Sequence, residues 1–419
     1  MNKKEILFLS PFDFVEKGIQ VVAKTPQYFA KNGWRVNFVV IRDYSKLGSY
    51  YYQTPFNPDG LNVLRYKMFS VGSLEKLIPR KLFSLYSKLR GYVTVLQLVR
   101  VAIPLLINNK EINILYGYGP LGSLSVAILK MLFYKRRLKI ISRFFGITDS
   151  EELIKSRWKR ILNWDVVAAM SLNVDLCIIT NDGTQGDQVM QFLSPKSVEN
   201  LKFWINGVDP MRLPSEGEIQ EQRRRYGIEP NDKVILAVSR LVSWKRVDRS
   251  LKIVAILVNE YNLERLKFVI VGDGSEKAAL EKLTSGLGIE KNVIFTGAVA
   301  NKEISTFLSL SNIFISTYDL SNVGNPLLEA IRANKVIFTL NNGDTGKWIN
   351  HKVNGFIYDI DDCVDYLKQM ADDIHLVLES VELREQILKN LRETEHNKLW
   401  TWDDRLNEEL FWIEKLLES

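Results

Sequence analysis

The sequence predicts an α/β protein made of two doubly wound, Rossmann-like parallel sheets in tandem. Three features of the 419-residue chain carry that expectation. Apolar runs of five or six residues, rich in Val, Ile and Phe, recur along its length as strands buried on both faces do. Each run is followed by a longer amphipathic segment, the pattern of strands joined by helical crossovers. The pattern breaks at Asn206-Gly207-Val208-Asp209-Pro210, a turn cluster that divides it into two similar halves.

In the first half the strand candidates are EILFLS, WRVNFVVI, NVLRYK, INILYG, KIISRFFG, DLCIIT and NLKFWING. Glu5, Pro11 and Asp13 leave no long uncharged run around EILFLS, so it reads as a first strand and not as a secretion signal. The stretch GYVTVLQLVRVAIPLLIN, from Gly91 to Asn108, is the most membrane-like. Arg100 near its centre would cost about 2.5–3.5 kcal/mol in a bilayer and Pro104 follows, so it is not expected to span. SYYYQTPFNPDG, from Ser49 to Gly60, is the most loop-like piece.

The second half repeats the design with KVILAVSR, LKFVIVGDG, NVIFTG, NIFIST and KVIFTL, then turns helical after Asp359. Two such domains in tandem would open their strand ends, and so their ligand crevices, onto a shared central cleft. The last segment, WTWDDRLNEELFWIEKLLES, has aromatic and aliphatic residues at helical spacing.

Composition excludes several classes of function. With 46% hydrophobic and 25% charged residues the chain is that of a globular protein. Cys177 and Cys363 lie in separate halves and form no ligand cluster, so free thiols in a reducing cytoplasm are expected. The three histidines, His351, His375 and His396, contain no ligand-spaced pair, which argues against a His-Asp hydrolase triad or a histidine metal centre. Charge is divided unevenly. Residues 1–210 hold 29 Lys and Arg against 16 Asp and Glu, a balance of +13, and the remainder 27 against 33, a balance of −6. A basic half favours an anionic surface or ligand on that side. No helix-turn-helix, zinc spacing or RNA-binding aromatic signature accompanies it, so nucleic acid is not the expected partner.

Candidate site residues fall where strands hand over to helices. Ser321-Asn322-Val323-Gly324 follows the strand NIFIST and precedes the helix opened by Asn325-Pro326, where free backbone N–H groups and the helix dipole attract phosphate. Glu329, one turn in, would accept hydrogen bonds from a ribose diol or lie on a solvated face. Arg240 and Lys245, after VILAV, suit a diphosphate whose charge grows on departure, or simply a solvated helix start. Gly272, in Val271-Gly272-Asp273-Gly274, serves a tight turn whether or not a ligand comes near. Gly18, before the helix IQVVAKTPQYFAKNG, permits close backbone approach or marks a flexible loop. Asn181-Asp182-Gly183 is first a turn and helix cap, with Asp182 also a possible substrate contact.

The stretch TYDLSNVGNPLLEAIR, from Thr317 to Arg332, resembles the nucleotide-sugar loop of family 4 retaining glycosyltransferases of the GT-B fold. In that family two glutamates flank seven residues, the second standing before an Ala. Glu329-Ala330 matches the second glutamate, and Ser321 stands where the first would be. Arg240 and Lys245 match the family's Arg-Lys pair in spacing, and the resemblance extends from about Val234 to Phe356. It implies that Arg240, Lys245 and Glu329 are catalytic, that Gly272 borders the nucleotide and that the backbone at Val299 reads the base. Many members carry a first-domain histidine beside the sugar; Tyr118 and Phe145 stand near the corresponding strand ends here. Serine at 321 implies an altered sugar pocket, with Asp319 or Asn322 as substitutes, or a relative that has lost turnover.

The resemblance therefore implies a retaining glycosyltransferase that moves a hexose from a UDP- or GDP-sugar to a hydroxyl acceptor, without a bound metal. The domains would be residues 1–207 plus 396–419, which bind the acceptor, and 208–395, which bind the donor. A nucleotide-sugar epimerase, a phosphorylase or an inactive membrane-associated relative share the two-domain shape. In the first half, cations are interleaved with apolar residues: Lys76, Arg80, Lys81, Lys88 and Arg90, then Lys135, Arg136, Arg137 and Lys139, then Lys155, Arg157, Lys159 and Arg160 beside Trp158. At about 1 kcal/mol per cation they would hold the protein on an anionic bilayer, unless they are only a solvated helix surface. The expected location is the inner face of the cytoplasmic membrane, with a glycan or lipid-linked acceptor.

Overall fold

A computed structural model describes residues 4–14, 20–42, 57–70, 78–147, 150–360 and 365–418; Gly18, Lys76, Cys363 and most of the Ser49–Gly60 loop lie outside them. The chain forms two compact units. The first comprises Met1–Asn181, Gln185–Ile205 and Asp404–Ser419, and the second Asp182–Thr184 and Asn206–Asp403.

The first unit is built on β1 (Glu5–Ser10), β2 (Arg35–Arg42), β3 (Leu61–Lys67), β4 (Ile112–Tyr118), β5 (Lys139–Phe144), β6 (Leu176–Thr180) and β7 (Leu201–Trp204). All pair in parallel, in the order β3-β2-β1-β4-β5-β6-β7. Each of the seven apolar runs of this half is a strand. Every residue of β1 and β6 is buried, because crossover helices cover both faces of the sheet. The helix Arg80–Asn108 contributes Val95, Leu98, Val99, Ala102 and Leu106 to that core. By length and composition its Leu85–Asn108 portion could cross a membrane; here its inner face is spent on the sheet.

The second unit carries β8 (Lys233–Val238), β9 (Leu266–Val271), β10 (Val293–Gly297), β11 (Ile313–Ser316), β12 (Val336–Leu340) and β13 (Phe356–Tyr358). They form a parallel sheet in the order β10-β9-β8-β11-β12-β13. Strand β13 is an addition to the five expected from sequence. Its three residues are too short a run to register as a strand, and it is secured by Phe356 stacked on Phe338 with ring centroids 4.5 Å apart.

Both sheets reverse their strand order once, between β1 and β4 and between β8 and β11. At such a reversal the loops leaving the two central strands turn to opposite faces, and a crevice opens at the carboxyl ends. The candidate site lies at the second of these.

The final helix, Trp402–Glu418, belongs to the first unit from Asp404 onward. Its Glu409 is fully buried and accepts a 2.5 Å hydrogen bond from the Tyr116 hydroxyl and a 2.9 Å bond from Arg405 Nη1. Arg405 lies 4.4 Å over the Trp204 ring, and Arg143 on β5 is buried nearby, donating to Thr180 Oγ1 at 2.8 Å. Burial pushes the Tyr116 phenol well up, so it acts as a neutral donor to the carboxylate. One buried carboxylate thus serves a buried phenol and a buried guanidinium.

Removing the charge of such a group strands its partners, whereas an exposed pair contributes little. Glu409→Gln is expected to destabilise the protein by about 3–5 kcal/mol in urea denaturation. Glu414→Ala, which breaks a half-exposed pair with Lys4, should cost less than about 1 kcal/mol. Equal midpoints for the two variants would remove the buried network from the stability argument.

Candidate active site

Two loops at the β8/β11 reversal supply most of the candidate residues, and hydrogen bonds tie them together. The first, Ser239–Arg246, is held from below by the turn after β9. Leu241 N–H donates to Asp273 O at 3.0 Å, and Glu276 N–H to Leu241 O at 2.9 Å. A Cβ at Gly272 would lie 1.8 Å from Ser239 O, so this glycine is required by backbone packing, independently of any ligand. The second loop, Thr317–Gly324, is bound to the first by Asp319 N–H donating to Trp244 O (2.9 Å) and Thr317 Oγ1 donating to Arg246 O (2.9 Å).

This frame encloses Lys245. Its Nζ lies 3.9 Å from the Trp244 ring centroid and 3.6 Å from that of Tyr318. Burial holds its pKa down to about 7, the positive charge of Arg240 adds to the depression, and the Asp182 carboxylate opposes it. Arg240 is exposed and makes no ion pair among the described residues. Asp182 belongs to the second unit by its contacts. Its Oδ1 accepts from Thr184 N–H (3.1 Å) and Oγ1 (2.6 Å), as a turn cap, and burial raises its pKa.

Glu329 sits one turn inside the helix Asn325–Arg332. It is half-buried, and its carboxyl group has no hydrogen bond or ion pair among the described residues. Burial alone pushes its pKa up to about 7. At the start of the same helix, the N–H groups of Gly324 and Asn325 are without hydrogen-bond partners among the described residues. The amides just before them are occupied: Asn322 N–H donates to Thr345 Oγ1 (3.0 Å) and Val323 N–H to Ser321 Oγ (3.2 Å). The donors of this loop left for a ligand among the described residues are therefore those at 324 and 325. Asn325 Oδ1 accepts from Asn206 Nδ2 at 3.0 Å.

Ser321 has a scaffolding position. It is buried, its Oγ also accepts from Asp344 N–H at 3.3 Å, and a Cβ on Gly343 would come within 2.3 Å of its own Cβ. The space a longer side chain would need is filled by the turn after β12. The two proposed substitutes for a glutamate here are engaged elsewhere. Asp319 pairs with Arg249 (2.8 Å) and Arg246 (3.1 Å). Asn322 is buried, accepting from Tyr318 N–H (3.1 Å) and donating to Asn342 Oδ1 (2.8 Å). Val323 is likewise buried, while Val299 is half-buried after β10.

In the first unit, Tyr118 is core. It has no exposed surface, its hydroxyl donates to Val21 O at 3.4 Å, and its ring stacks on Phe8 and Phe145. It therefore cannot touch a sugar directly. Phe145 is half-buried, meeting Tyr118 on one side and Phe12 edge-on at 5.4 Å on the other. Among the described residues no group of three or more His, Cys, Asp or Glu is placed to hold a metal ion.

Sequence reading missed the aromatic walls around Lys245, the Arg246 and Arg249 clamp on Asp319, and the Thr345 support. The Asn341-Asn342-Gly343-Asp344-Thr345 turn cluster was the available signal for the last of these.

Residues 218–394 match the family model described as glycosyl transferases group 1. The matched segment takes in all six strands of the second sheet and Arg240, Lys245 and Glu329. An uncharacterized glycosyltransferase of Methanocaldococcus jannaschii is 25% identical over 57% of this chain and 56% of its own length. The alpha-monoglucosyldiacylglycerol synthase of Streptococcus pneumoniae is 27% identical over 33% and 31%, respectively. The N-acetyl-alpha-D-glucosaminyl L-malate synthase of Bacillus anthracis is 24% identical over 48% and 50%. The chain thus spans about a third to just over half the length of these relatives. Among solved structures, Anabaena HepE in complex with UDP-glucose superposes with a TM-score of 0.71 at 18% identity, covering 99% of this chain and 100% of that one. Sucrose-phosphate synthase from Thermosynechococcus elongatus does so with a TM-score of 0.72 at 14% identity, over 99% and 100%. The fold is accordingly that of the GT-B glycosyltransferases, two parallel-sheet α/β domains.

The Glu329 carboxyl generates a pH-dependent prediction. Its folded pKa is above its unfolded value, so between about pH 4.5 and 7 the folded state holds a proton that the unfolded state has lost. The folded protein therefore loses stability as pH rises through that window. Glu329→Gln should raise the thermal midpoint at pH 8, by the equivalent of about 1–3 kcal/mol, and leave it unchanged near pH 4.5. The check is a melting series across pH; a gain at the acid end and none at pH 8 would contradict the assignment.

Proposed function

We propose that the protein is a retaining glycosyltransferase that moves a hexose from a UDP- or GDP-sugar to an acceptor hydroxyl. One observation carries this reading. At the strand-order reversal of the second sheet stand two cations, Arg240 and Lys245, one carboxyl without a partner, Glu329, and two open helix-terminal amides. A nucleoside diphosphate is the ligand that answers all three, with a dianionic bridge for the cations and amides and a ribose diol for the carboxylate. The match of residues 218–394 to group 1 glycosyl transferases supports the reaction class, and HepE with bound UDP-glucose supports the uridine nucleotide.

In this scheme Arg240 and Lys245 hold the diphosphate, Gly324 and Asn325 N–H donate to the β-phosphate, and Glu329 accepts from the ribose. As the sugar–phosphate bond breaks, negative charge grows on the leaving oxygen, and the Lys245 ammonium is best placed to gain from it. Burial and Arg240 hold its pKa down to about 7, and a diphosphate beside it favours the ammonium form. The acceptor oxygen bonds to the anomeric carbon on the face the phosphate leaves, and its proton passes to the departing phosphate oxygen. That route gives retention without an enzymic base. Ser321 serves the loop scaffold, so donor-sugar hydroxyls must be met by other groups. The acceptor is a lipid-linked or membrane-associated glycan, and the protein acts on the inner face of the cytoplasmic membrane.

Two measurements test the assignment. Glu329→Ala should lose most of its affinity for UDP or GDP in titration calorimetry, since each charge-assisted hydrogen bond to a ribose hydroxyl is worth roughly 1.5–3 kcal/mol. Undiminished affinity would remove Glu329 from the site.

Arg240→Ala and Lys245→Ala should lower kcat more than they raise KM, with the double variant less than additive, because both cations act on one diphosphate. Wild-type nucleotide binding without transfer across donor and acceptor panels would instead favour an inactive relative carrying serine at 321. Sugar isomerisation without acceptor would identify an epimerase.

A further inference from the structure

The helix Arg80–Asn108 has two apolar faces, and the core uses only one. Val95, Leu98, Val99, Ala102 and Leu106 pack on the first sheet. On the other side Leu82, Leu85, Leu89, Tyr92 and Leu96 recur at alternating spacings of three and four, one stripe along the helix. All five are exposed, Leu96 by 64%. A second helix, Arg157–Leu162, has no buried residue at all and presents Trp158 (76% exposed), Ile161 and Leu162. The next helix, Trp164–Met170, meets the long helix where Tyr92 stacks flat on Trp164 with centroids 4.0 Å apart and Lys88 pairs with Asp165. The helices Arg80–Asn108 and Arg157–Leu162, both in one unit, thus leave these eight large apolar side chains exposed, more than the scattered single residues of ordinary protein exteriors.

Its charge selects the occupant. The 29-residue helix Arg80–Asn108 contains Arg80, Lys81, Lys88, Arg90 and Arg100 and not one Asp or Glu, and Arg157–Leu162 is likewise free of acid. Lys88 and Lys159 pair with Asp165 and Glu152, but Arg100 and Arg157 are exposed without an acid among the described residues, so a second copy laid on this stripe would set like charges together. An anionic phospholipid surface meets both the leucines and the charges. The helix leaves the carboxyl end of β3 and returns to the amino end of β4, so its exposed amino-terminal half lies beside the carboxyl edge of the first sheet.

We propose that the Leu82–Leu96 stripe, with Trp158, Ile161 and Leu162, docks in the interface of an anionic phospholipid bilayer. The helix then lies in the plane of the membrane, its inner face still packed on the sheet. That the docked bilayer supplies the acceptor rests on the glycosyl-transfer reading; the docking itself does not.

The test is co-sedimentation of the full chain with vesicles of phosphatidylglycerol and phosphatidylcholine, against vesicles of phosphatidylcholine alone, at low and high salt. Wild-type protein should sediment with the anionic vesicles and be released by salt. Leu85→Gln/Leu89→Gln/Leu96→Gln should lower the partition coefficient at least about tenfold, and Arg157→Glu by roughly fivefold, both with unchanged melting temperature. A wild type that stays in the supernatant, that binds neutral vesicles equally, or that the leucine variant matches, overturns the proposal. So does a concentration-dependent dimer in velocity sedimentation that the leucine changes convert to monomer, which would make the stripe a self-association seam. Thermal shift with UDP and with GDP, run on the same samples, reads the donor site separately: vesicle binding without a response to either nucleotide would sink the transfer reading and leave the docking intact.

Discussion

The second unit depends on a pair of loops that would diverge if left to the sheet alone. Strands β8 and β11 are neighbours at the point where strand order reverses, so their crossovers turn to opposite faces. What keeps the loops together is a short set of backbone-directed bonds: Asp319 N–H to Trp244 O, Thr317 Oγ1 to Arg246 O and Arg249 Nη1 to Thr317 O at 3.1 Å. Arg246 accepts a left-handed backbone, φ 44°, to take part. Everything chemically distinctive here, from the lysine between two rings to the open amides at 324 and 325, is positioned by that clamp.

The clamp holds charges that the protein does not itself satisfy. Lys245 and Glu329 are both driven toward neutrality by burial, in opposite directions, and both reach about 7. Natural proteins keep such groups where a ligand makes up the deficit, at some loss of stability in the empty state. The contrast with Asp319 is instructive. Two arginines already pair with its Oδ1, and this makes it part of the frame.

The architecture was legible because buried parallel strands write themselves as unbroken apolar runs, and twelve of the thirteen strands stood out that way. Strand β13 did not, since three residues at a sheet edge leave no periodicity to read. Arg240, Lys245 and Glu329 could be singled out as candidates from their places at strand ends together with the family resemblance. The roles of Ser321 and Asn322 were not, because they depend on which way a side chain points inside a loop, and a turn after β12, remote in sequence, decides that. Tyr118 was misleading for a related reason: a residue at the carboxyl end of a strand can face the crevice or the core, and its aromatic neighbours draw it into the core. The buried Arg143, Arg405 and Glu409 cluster joins parts of the chain too distant for any local pattern to connect.

That cluster also sets an order of events. Domains generally fold in the sequence in which they are synthesised, the first while the second is still being made. Here the carboxylate that receives the Tyr116 hydroxyl and pairs with Arg405 arrives with the helix Trp402–Glu418, after the second unit has been translated. Until then Tyr116 on the first sheet lacks its carboxylate partner. The unit that begins first therefore completes its packing only after the second has been made.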